Sequence, residues 1–231
     1  MVPVTRFNPS VNGSLHLGHL YVALVNEGIT KDAGGKFYVR FDDTSAQHVK
    51  MYGPDRLRRT GEYQQELMDW MGLRTDGYSR QTDRLDEVHD ILKTIEIRAA
   101  DDYIPYQPEL VADAYVPLFP FAPMLTAEKV VFDHMLGVTM LIRGMDLMTE
   151  YGLYQYFCEA LGYPKPQHIY LPRLGWAGGD MSKRHGAMFL SELRADGYTP
   201  EEIREMLGFA CLRNISNGWT LSNLKGAPRL Q

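Results

Sequence analysis

The sequence predicts an α/β fold built on a parallel sheet, with helices on its faces. Short apolar stretches that read as buried strands, "VPVTRF" and "KFYVRF", are separated by a helix-length segment. A further helix-length segment follows the second of them, so strand, helix, strand, helix recur at the spacing of a βαβ unit. Turn-rich residues, "NPSVNGS" and "AGG", fall where the connections should lie.

The elements follow in order. After the first strand and its loop, a packed helix is predicted from about Leu15 to Asp32, with Leu17, Leu20, Val22, Leu24, Val25 and Ile29 as its apolar positions. "AGG" ends it and "KFYVRF" forms the second strand. Pro54 opens a helix running to about Met71, with Leu57, Leu67, Met68 and Met71 turned inward. "RLDEVHDILKTIEIRAA" has the pattern of another amphipathic helix. Residues 101–123 hold five prolines and many aromatics, and read as an irregular connection or small insertion. "VTMLIRG" is expected to be a central strand, and "DLMTEYGLYQYFCEALG" a helix stopped by Gly162. A glycine-bounded loop, "AGGDMSKRHGAM", precedes two last helices, "LSELRADG" and "TPEEIREMLGFACLR". Thr199 and Glu202 supply a capping box for the second of these.

Composition narrows the function classes. The 231 residues, 45% of them hydrophobic and 23% charged, are ordinary for a globular domain. No apolar run reaches the length of a membrane span, and "MVPVTRFNPS" lacks a signal-peptide pattern, so a cytoplasmic location is expected. The two cysteines, Cys158 and Cys211, lie far apart in apolar surroundings, which excludes a disulfide framework or a CxxC zinc site; no zinc is expected. A net charge of −5 does not indicate nucleic-acid binding, although the stretch from Leu161 onward carries nine Lys/Arg against six Asp/Glu.

Four local patterns carry chemistry. His16 and His19, three residues apart at a helix start, project on one face beside backbone N–H groups that lack helical partners. Such a place favours phosphate, and Gly18 would let a flat ligand approach the backbone. Ordinary core or surface histidines fit the same residues, whereas zinc would need a third ligand that the spacing does not supply. The loop "MSKRHG" offers a lysine between small residues, a point charge suited to a pyrophosphate leaving group. Asp42 and Asp43 close the strand "YVRFDD" at the carboxyl edge of the sheet, where open α/β sheets bind ligands. Adjacent residues on a strand point to opposite faces, so one carboxylate can hold a substrate cation while the other braces a loop. Arg6 and Arg143, each at the end of a predicted strand, lie along the same edge and suit carboxylate recognition.

Together and in this order, "HLGH", "RFDDT", "LIRGMD" and "MSKRHG" resemble the signatures of class I aminoacyl-tRNA synthetases, in the form used by the glutamyl- and glutaminyl-tRNA synthetases. "RFNPSVNGSLHLGH", "GGKFYVRFDDT" and "FDHMLGVTMLIRG" are similar to longer stretches of that family, and the resemblance covers roughly residues 4 to 100 and 130 to 190. It implies a Rossmann-like (HUP-type) doubly wound parallel sheet with a short insertion and a small helical C-terminal tail. The implied division is a catalytic domain of residues 1–100 and 124–180, an insertion of 101–123 where the family grips the acceptor stem, and a signature loop with helical tail of 181–231.

The resemblance also assigns roles. His16, His19 and Lys183 match the residues that stabilise ATP's phosphates and the departing pyrophosphate. Gly18, Asp146, Met181 and Ser182 fall in the nucleotide-binding motifs. Arg6, Ser10, Asp42 and Arg143 match amino-acid contacts, with Asp42 standing where bacterial members carry Glu. Leu125 and Lys129 occupy the places of a tyrosine and an asparagine that contact the amino-acid side chain, so the side-chain pocket departs from the family pattern. Fifty residues separate Arg84 from His134, fewer than in the tRNA-charging members, and the chain is short for an anticodon-binding domain after the signature loop. Asp180 stands where that loop ordinarily begins with lysine.

The function implied is ATP-dependent amino-acid activation. ATP and its Mg2+ are the expected cofactors, and glutamate or another amino acid the substrate. tRNA or a modified tRNA nucleotide is the expected acceptor, as in the stand-alone relatives that modify queuosine, and no membrane partner is implied. A carrier protein or small molecule as acceptor, or a catalytically silent binding module, are the competing readings.

Overall fold

The computed structural model describes residues 2–94, 122–171, 175–176, 179–180 and 189–207. β1 (Val4–Phe7) pairs in parallel with β2 (Lys36–Phe41), and β2 in parallel with β3 (Gly77–Arg80). β4 (Met140–Gly144) pairs in parallel with β5 (Gln167–Leu171), Arg143 standing opposite Tyr170. The two ladders meet at β1 and β4, where the Thr139 N–H donates to the Val4 carbonyl at 2.9 Å and the Val4 N–H donates to the Thr139 hydroxyl at 2.9 Å. Read across that seam, the order is β3-β2-β1-β4-β5. The chain winds outward from β1 in one direction and from β4 in the other. A crevice at such a switch point is where doubly wound sheets take their ligands.

Helices cover both faces. α1 (Leu17–Asp32) packs Tyr21 and Val25 on Ile142 and Leu171. α5 (Ala122–Met135) and α6 (Tyr151–Ala160) bury Val130, Val131, Tyr154 and Phe157 with Leu141, the neighbour of Ile142 on the opposite face. Burying each such side chain contributes about 1.5–3 kcal/mol. Asn26, wholly buried, locks α1 to the sheet by donating to the Ile142 carbonyl at 3.0 Å.

α3 (Pro54–Trp70) begins at the expected proline and buries Leu57, Leu67 and Met68, with Met71 just beyond its end. α7 (Leu190–Ala195) and α8 (Pro200–Met206) place Leu190, Leu193, Ile203 and Leu207 in the same core as α1 and α3. The Thr199–Glu202 capping box is present.

Several elements differ from the sequence expectation. α2 (Ala46–Tyr52), β3 and the hydrogen-bonded strand β5 had no assigned counterpart. β3 is four residues long and half-buried throughout, too short and mixed for a periodic signal. The helix expected from "DLMTEYG" onward starts as a 3-10 turn over Met145–Glu150 and becomes α-helical only at Tyr151. Its stop at Gly162 holds, with φ at 66°. α4 (Leu85–Leu92) covers the first half of its predicted span; the remainder, the Pro-rich stretch to residue 121, Cys211 and the end of the last predicted helix lie outside the described residues. A two-residue hairpin, β6 (Gly175–Trp176) with β7 (Gly179–Asp180), precedes the signature loop. Cys158 is buried and free. Among the described residues no helix is long and apolar enough to cross a membrane.

Candidate active site

The carboxyl edge of the sheet is built on a buried charge cluster. Asp133, projecting from α5, receives Arg6 from β1 in bidentate form at 2.9 and 3.0 Å, Arg40 from β2 at 2.7 Å, and the Tyr154 hydroxyl from α6 at 2.9 Å. Burial alone would push the Asp133 carboxyl up, but the two guanidiniums outweigh it and hold that carboxyl far below the usual carboxylate range. For Arg6, burial opposes the charge and Asp133 overcomes it, whereas Arg40 stays below its ordinary value because burial and Arg6 both work against it. Two buried cations thus share one anion. Arg6 was expected to contact substrate directly; its bidentate edge is instead taken by Asp133, leaving Nη1 outside those bonds.

Arg143, 3% exposed at the end of β4, lies beside this cluster. Its Nη1 donates to Glu150 at 3.2 Å, its Nη2 meets the His168 ring nitrogen Nδ1 at 3.5 Å, and its guanidinium lies 5.3 Å from the Tyr154 ring centroid. Lys129, one turn before Asp133 on α5, donates to the same Glu150 at 3.2 Å. Burial of Glu150 is outweighed by Lys129 and Arg143, so its carboxyl lies below the ordinary value. Burial first, and then Arg143, lower His168 to about 4, which keeps the ring neutral at neutral pH. Leu125 is half-buried in the first turns of α5, and Asp146 is exposed in the 3-10 turn, its Oδ1 folded back against Gly144. An open cleft of about 600 Å³ lies against β5, lined by His168, Tyr170, Tyr151, Gln155 and Met148 among others. It touches the Arg143 neighbourhood through His168 and Tyr170 and is not lined by the histidine pair of α1.

One strand over, Ser10 bridges Asp42: the Asp42 N–H donates to the Pro9 carbonyl and the Val11 N–H to the Asp42 carbonyl. Of the two adjacent aspartates, Asp43 is the one that braces a loop. Asp43 is buried and takes the Thr82 N–H and hydroxyl at 3.0 and 2.8 Å, bracing the loop before α4, and burial raises its carboxyl despite those bonds. Asp42 is half-buried, and its Oδ1 is shut from solvent without a hydrogen-bond partner among the described residues.

The histidine pair forms a cap. His16 is the N-cap of α1: its Nδ1 accepts the Gly18 N–H at 3.1 Å, and the His16 N–H donates to Nδ1 of His19 at 3.3 Å. The rings stack with centroids 3.8 Å apart. With both Nδ1 atoms accepting, this geometry assigns the proton of each neutral ring to Nε2. Gly18 has a reason the sequence did not reveal. A Cβ there would stand 3.0 Å from two atoms of the His16 ring, so the glycine makes room for the cap. Phe189 forms a bridge to His16, and the Leu190 N–H donates to the Leu15 carbonyl, which brings the chain after the signature loop against this helix start. Met181, Ser182 and Lys183 lie outside the described residues.

Sequence reasoning missed Arg40, Glu150 and Tyr154, and assigned no role to Asp133. A signal existed for Asp133, which interrupts the apolar run "KVVFDHM"; Arg40 shares the strand phase of Lys36 and Tyr38, so alternation gave no sign of its burial. Also unforeseen was a bridge from α5 to the loop after β2. Glu128, buried, meets His89 at 3.0 Å and the Thr44 hydroxyl at 3.1 Å. Among the described residues no group of His, Cys, Asp and Glu is arranged to hold a metal ion.

The chain matches the family described as tRNA synthetases class I (E and Q), catalytic domain, over residues 3–110 and 104–217. It is similar to a glutamate–tRNA ligase of Rubrobacter xylanophilus, 28% identical over 266 aligned positions that cover 96% of this chain and 59% of that protein. The chain therefore spans about three fifths of the length of such relatives. Among solved structures it resembles a glutamate tRNA ligase from Elizabethkingia meningosepticum in complex with its amino acid, with TM-score 0.69, 19% identity, and coverage of 100% of this chain and 65% of that one. It also resembles the tyrosyl-tRNA synthetase of Archaeoglobus fulgidus complexed with L-tyrosine, with TM-score 0.65, 18% identity, and coverage of 93% and 72%. At these identities the structural likeness speaks to the fold, a Rossmann-type α/β sheet.

Proposed function

The chain belongs to the family of class I tRNA synthetases (E and Q), catalytic domain, and from that premise we propose that it activates an amino acid with ATP and passes the acyl group to an acceptor such as tRNA or a modified tRNA nucleotide. The observation that carries this reading is the stacked His16–His19 pair capping a 16-residue helix. The helix dipole favours negative charge at this end of α1. Imidazoles protonated on Nε2 add two donors that strengthen as negative charge moves onto the bridging oxygen.

In the first step an oxygen of the amino-acid carboxylate attacks the α-phosphorus of ATP. The bond from that phosphorus to the oxygen bridging to the β-phosphorus breaks, giving aminoacyl adenylate and pyrophosphate. Lys183 is assigned the charge of the leaving pyrophosphate, with Mg2+ accompanying the nucleotide, and Gly18, Asp146, Met181 and Ser182 border the nucleotide. Asp42 supplies a carboxylate for the substrate ammonium, supported by its buried, unpartnered Oδ1. Ser10 sits beside it, and Arg6 and Arg143 provide positive potential for the substrate's carboxylate. In the second step an acceptor hydroxyl attacks the acyl carbon and AMP departs. No side chain is acylated; positioning and charge stabilisation do the catalysis. The relatives' name points to glutamate as the first substrate to try and tRNA as the first acceptor.

Amino-acid-dependent ATP–pyrophosphate exchange, run over the twenty amino acids with and without total tRNA, tests the proposal. Exchange with a narrow set of amino acids is expected. Silence across both panels sinks it.

A further inference from the structure

The loop between β1 and α1 joins the two halves of the site, and one side chain holds its middle. At the first end, the Asp42 N–H donates to the Pro9 carbonyl at 2.9 Å and the Val11 N–H to the Asp42 carbonyl at 3.3 Å. At the other end, His16 caps α1. Between them, Gln64 of α3, 1% exposed, donates from Nε2 to the Ser10 carbonyl at 3.0 Å and to the Gly13 carbonyl at 2.7 Å. Both partners are carbonyl oxygens, so the orientation of the amide is fixed: turned over, its own oxygen would face two acceptors. Oε1 is shut from solvent without a hydrogen-bond partner among the described residues. An apolar side chain of the same length would strand no acceptor, so what the amide contributes here is its two donors. Both go to the loop, on either side of Val11 and Asn12. Contacts from other elements tie the same loop further along. Asn12 Nδ2 meets His48 Nε2 at 3.0 Å, and the Ser14 hydroxyl meets that of Ser191 at 3.1 Å.

The consequence is geometric. Ser10 and Asp42 mark the end assigned to the substrate ammonium, and His16 and His19 the end assigned to phosphate. Gln64 touches neither group's side chain. It ties the backbone between them, and so sets how far apart they stand. Attack of a carboxylate on phosphorus needs the reacting atoms within about 3–3.5 Å, and a displacement of about 1 Å can slow such a step about 100-fold. Resting on the activation reading above, we infer that Gln64 is a positioning residue: its amide holds the Ser10–Gly13 loop so that the amino-acid carboxylate and the α-phosphorus of ATP meet at reacting distance. Asp42 is carried by the end of β2 and the histidine cap by α1, so each half-site survives the loss of the amide. Gln64 therefore acts on the rate of the chemical step and not on the binding of either substrate.

Gln64→Met keeps the length of the side chain and removes both donors. In pyrophosphate exchange with the full chain, kcat per folded molecule should fall by at least about tenfold, while the KM for ATP and for the amino acid stays within about threefold. A merely structural role would lower the folded fraction, read by circular dichroism, and leave kcat per folded molecule in place. If Gln64→Met does not fold, Gln64→Asn serves: its amide is one methylene short of spanning both carbonyls, and the same split is expected. A kcat within about threefold of the wild type, or KM values that rise with kcat unchanged, overturns the inference. A second readout needs no activity. Val11 and Asp42 donate their N–H groups across the foot of the loop, and NMR follows their deuterium exchange. Both should lose at least about tenfold in protection in the variant, relative to Leu67 and Met68 buried on α3. Wild-type silence in the pyrophosphate assay, with this loosening present, removes the activation reading and leaves Gln64 as the anchor of the loop. Unchanged protection removes the hold of Gln64 on the loop, whatever the pyrophosphate assay gives.

Discussion

Arg6 and Arg40, from neighbouring strands, converge on one carboxylate oxygen, Oδ1 of Asp133, at 2.9 and 2.7 Å. All three side chains are at most 4% exposed. The arrangement ties β1, β2 and α5 into one rigid floor beneath the substrate edge, with Tyr154 closing it from α6. A buried pair is weak support for stability in itself, but breaking one is costly, because it strands a charge.

Asp133→Asn should therefore destabilise the fold by about 3–5 kcal/mol, since two guanidiniums lose their shared anion. Urea denaturation measures this. A loss below about 1 kcal/mol would mean that Arg6 and Arg40 find other acceptors when Asp133 is neutral.

His168 sets a pH dependence. Its folded value is about 4 against an ordinary 6.5, through burial and Arg143. A depressed value means the unfolded chain binds the proton first, so this contribution is complete above pH 6.5 and is lost as pH falls from there toward 4. Asp133 and Glu150, also depressed, extend the loss to lower pH. His168→Gln should flatten stability between pH 6.5 and 4 while leaving the steeper acid limb, which a denaturation series across that range would read.

His16 has two separable duties. Asn is a good N-cap, so His16→Asn should keep stability within about 0.5 kcal/mol, whereas His16→Ala should cost about 1 kcal/mol. Both should lower pyrophosphate exchange by about 100-fold if the ring donates to phosphate in the transition state. Normal exchange in His16→Asn would reduce His16 to a cap.

Gly18→Ala places a Cβ 3.0 Å from the His16 ring, which must turn away. Helix propensity favours the alanine by up to about 1 kcal/mol, so stability should hold or rise slightly. Exchange should nevertheless fall, by about tenfold or more if the displaced ring forfeits 1.4 kcal/mol of transition-state stabilisation. Unchanged exchange would show that the ring position does not matter to the chemistry.

Much of this was legible in the residues. Pro54, Leu57, Leu67, Met68 and Met71 announced α3 because a long amphipathic helix repeats its signal over several turns. The loop before α1 put its start at about Leu15, two residues ahead of the first helical residue, Leu17. β3 was not, because four half-buried residues carry no periodicity of their own and pair only once β2 exists. Arg6 was read as a substrate contact; its partner Asp133 lies 127 positions away, and no local rule joins them.

The sequence by itself determined the βαβ order, the Thr199–Glu202 cap, the stop at Gly162 and the set of charged residues at strand ends, since period, capping and turn chemistry act over a few residues. Only the tertiary structure decided how those charges are apportioned. Asp133 went to Arg6 and Arg40, and Glu150 to Lys129 and Arg143, because strands and helices distant in the chain meet at one edge of the sheet. Pairing of buried charges depends on separation in space and on exclusion of water, and neither is written in a neighbouring residue.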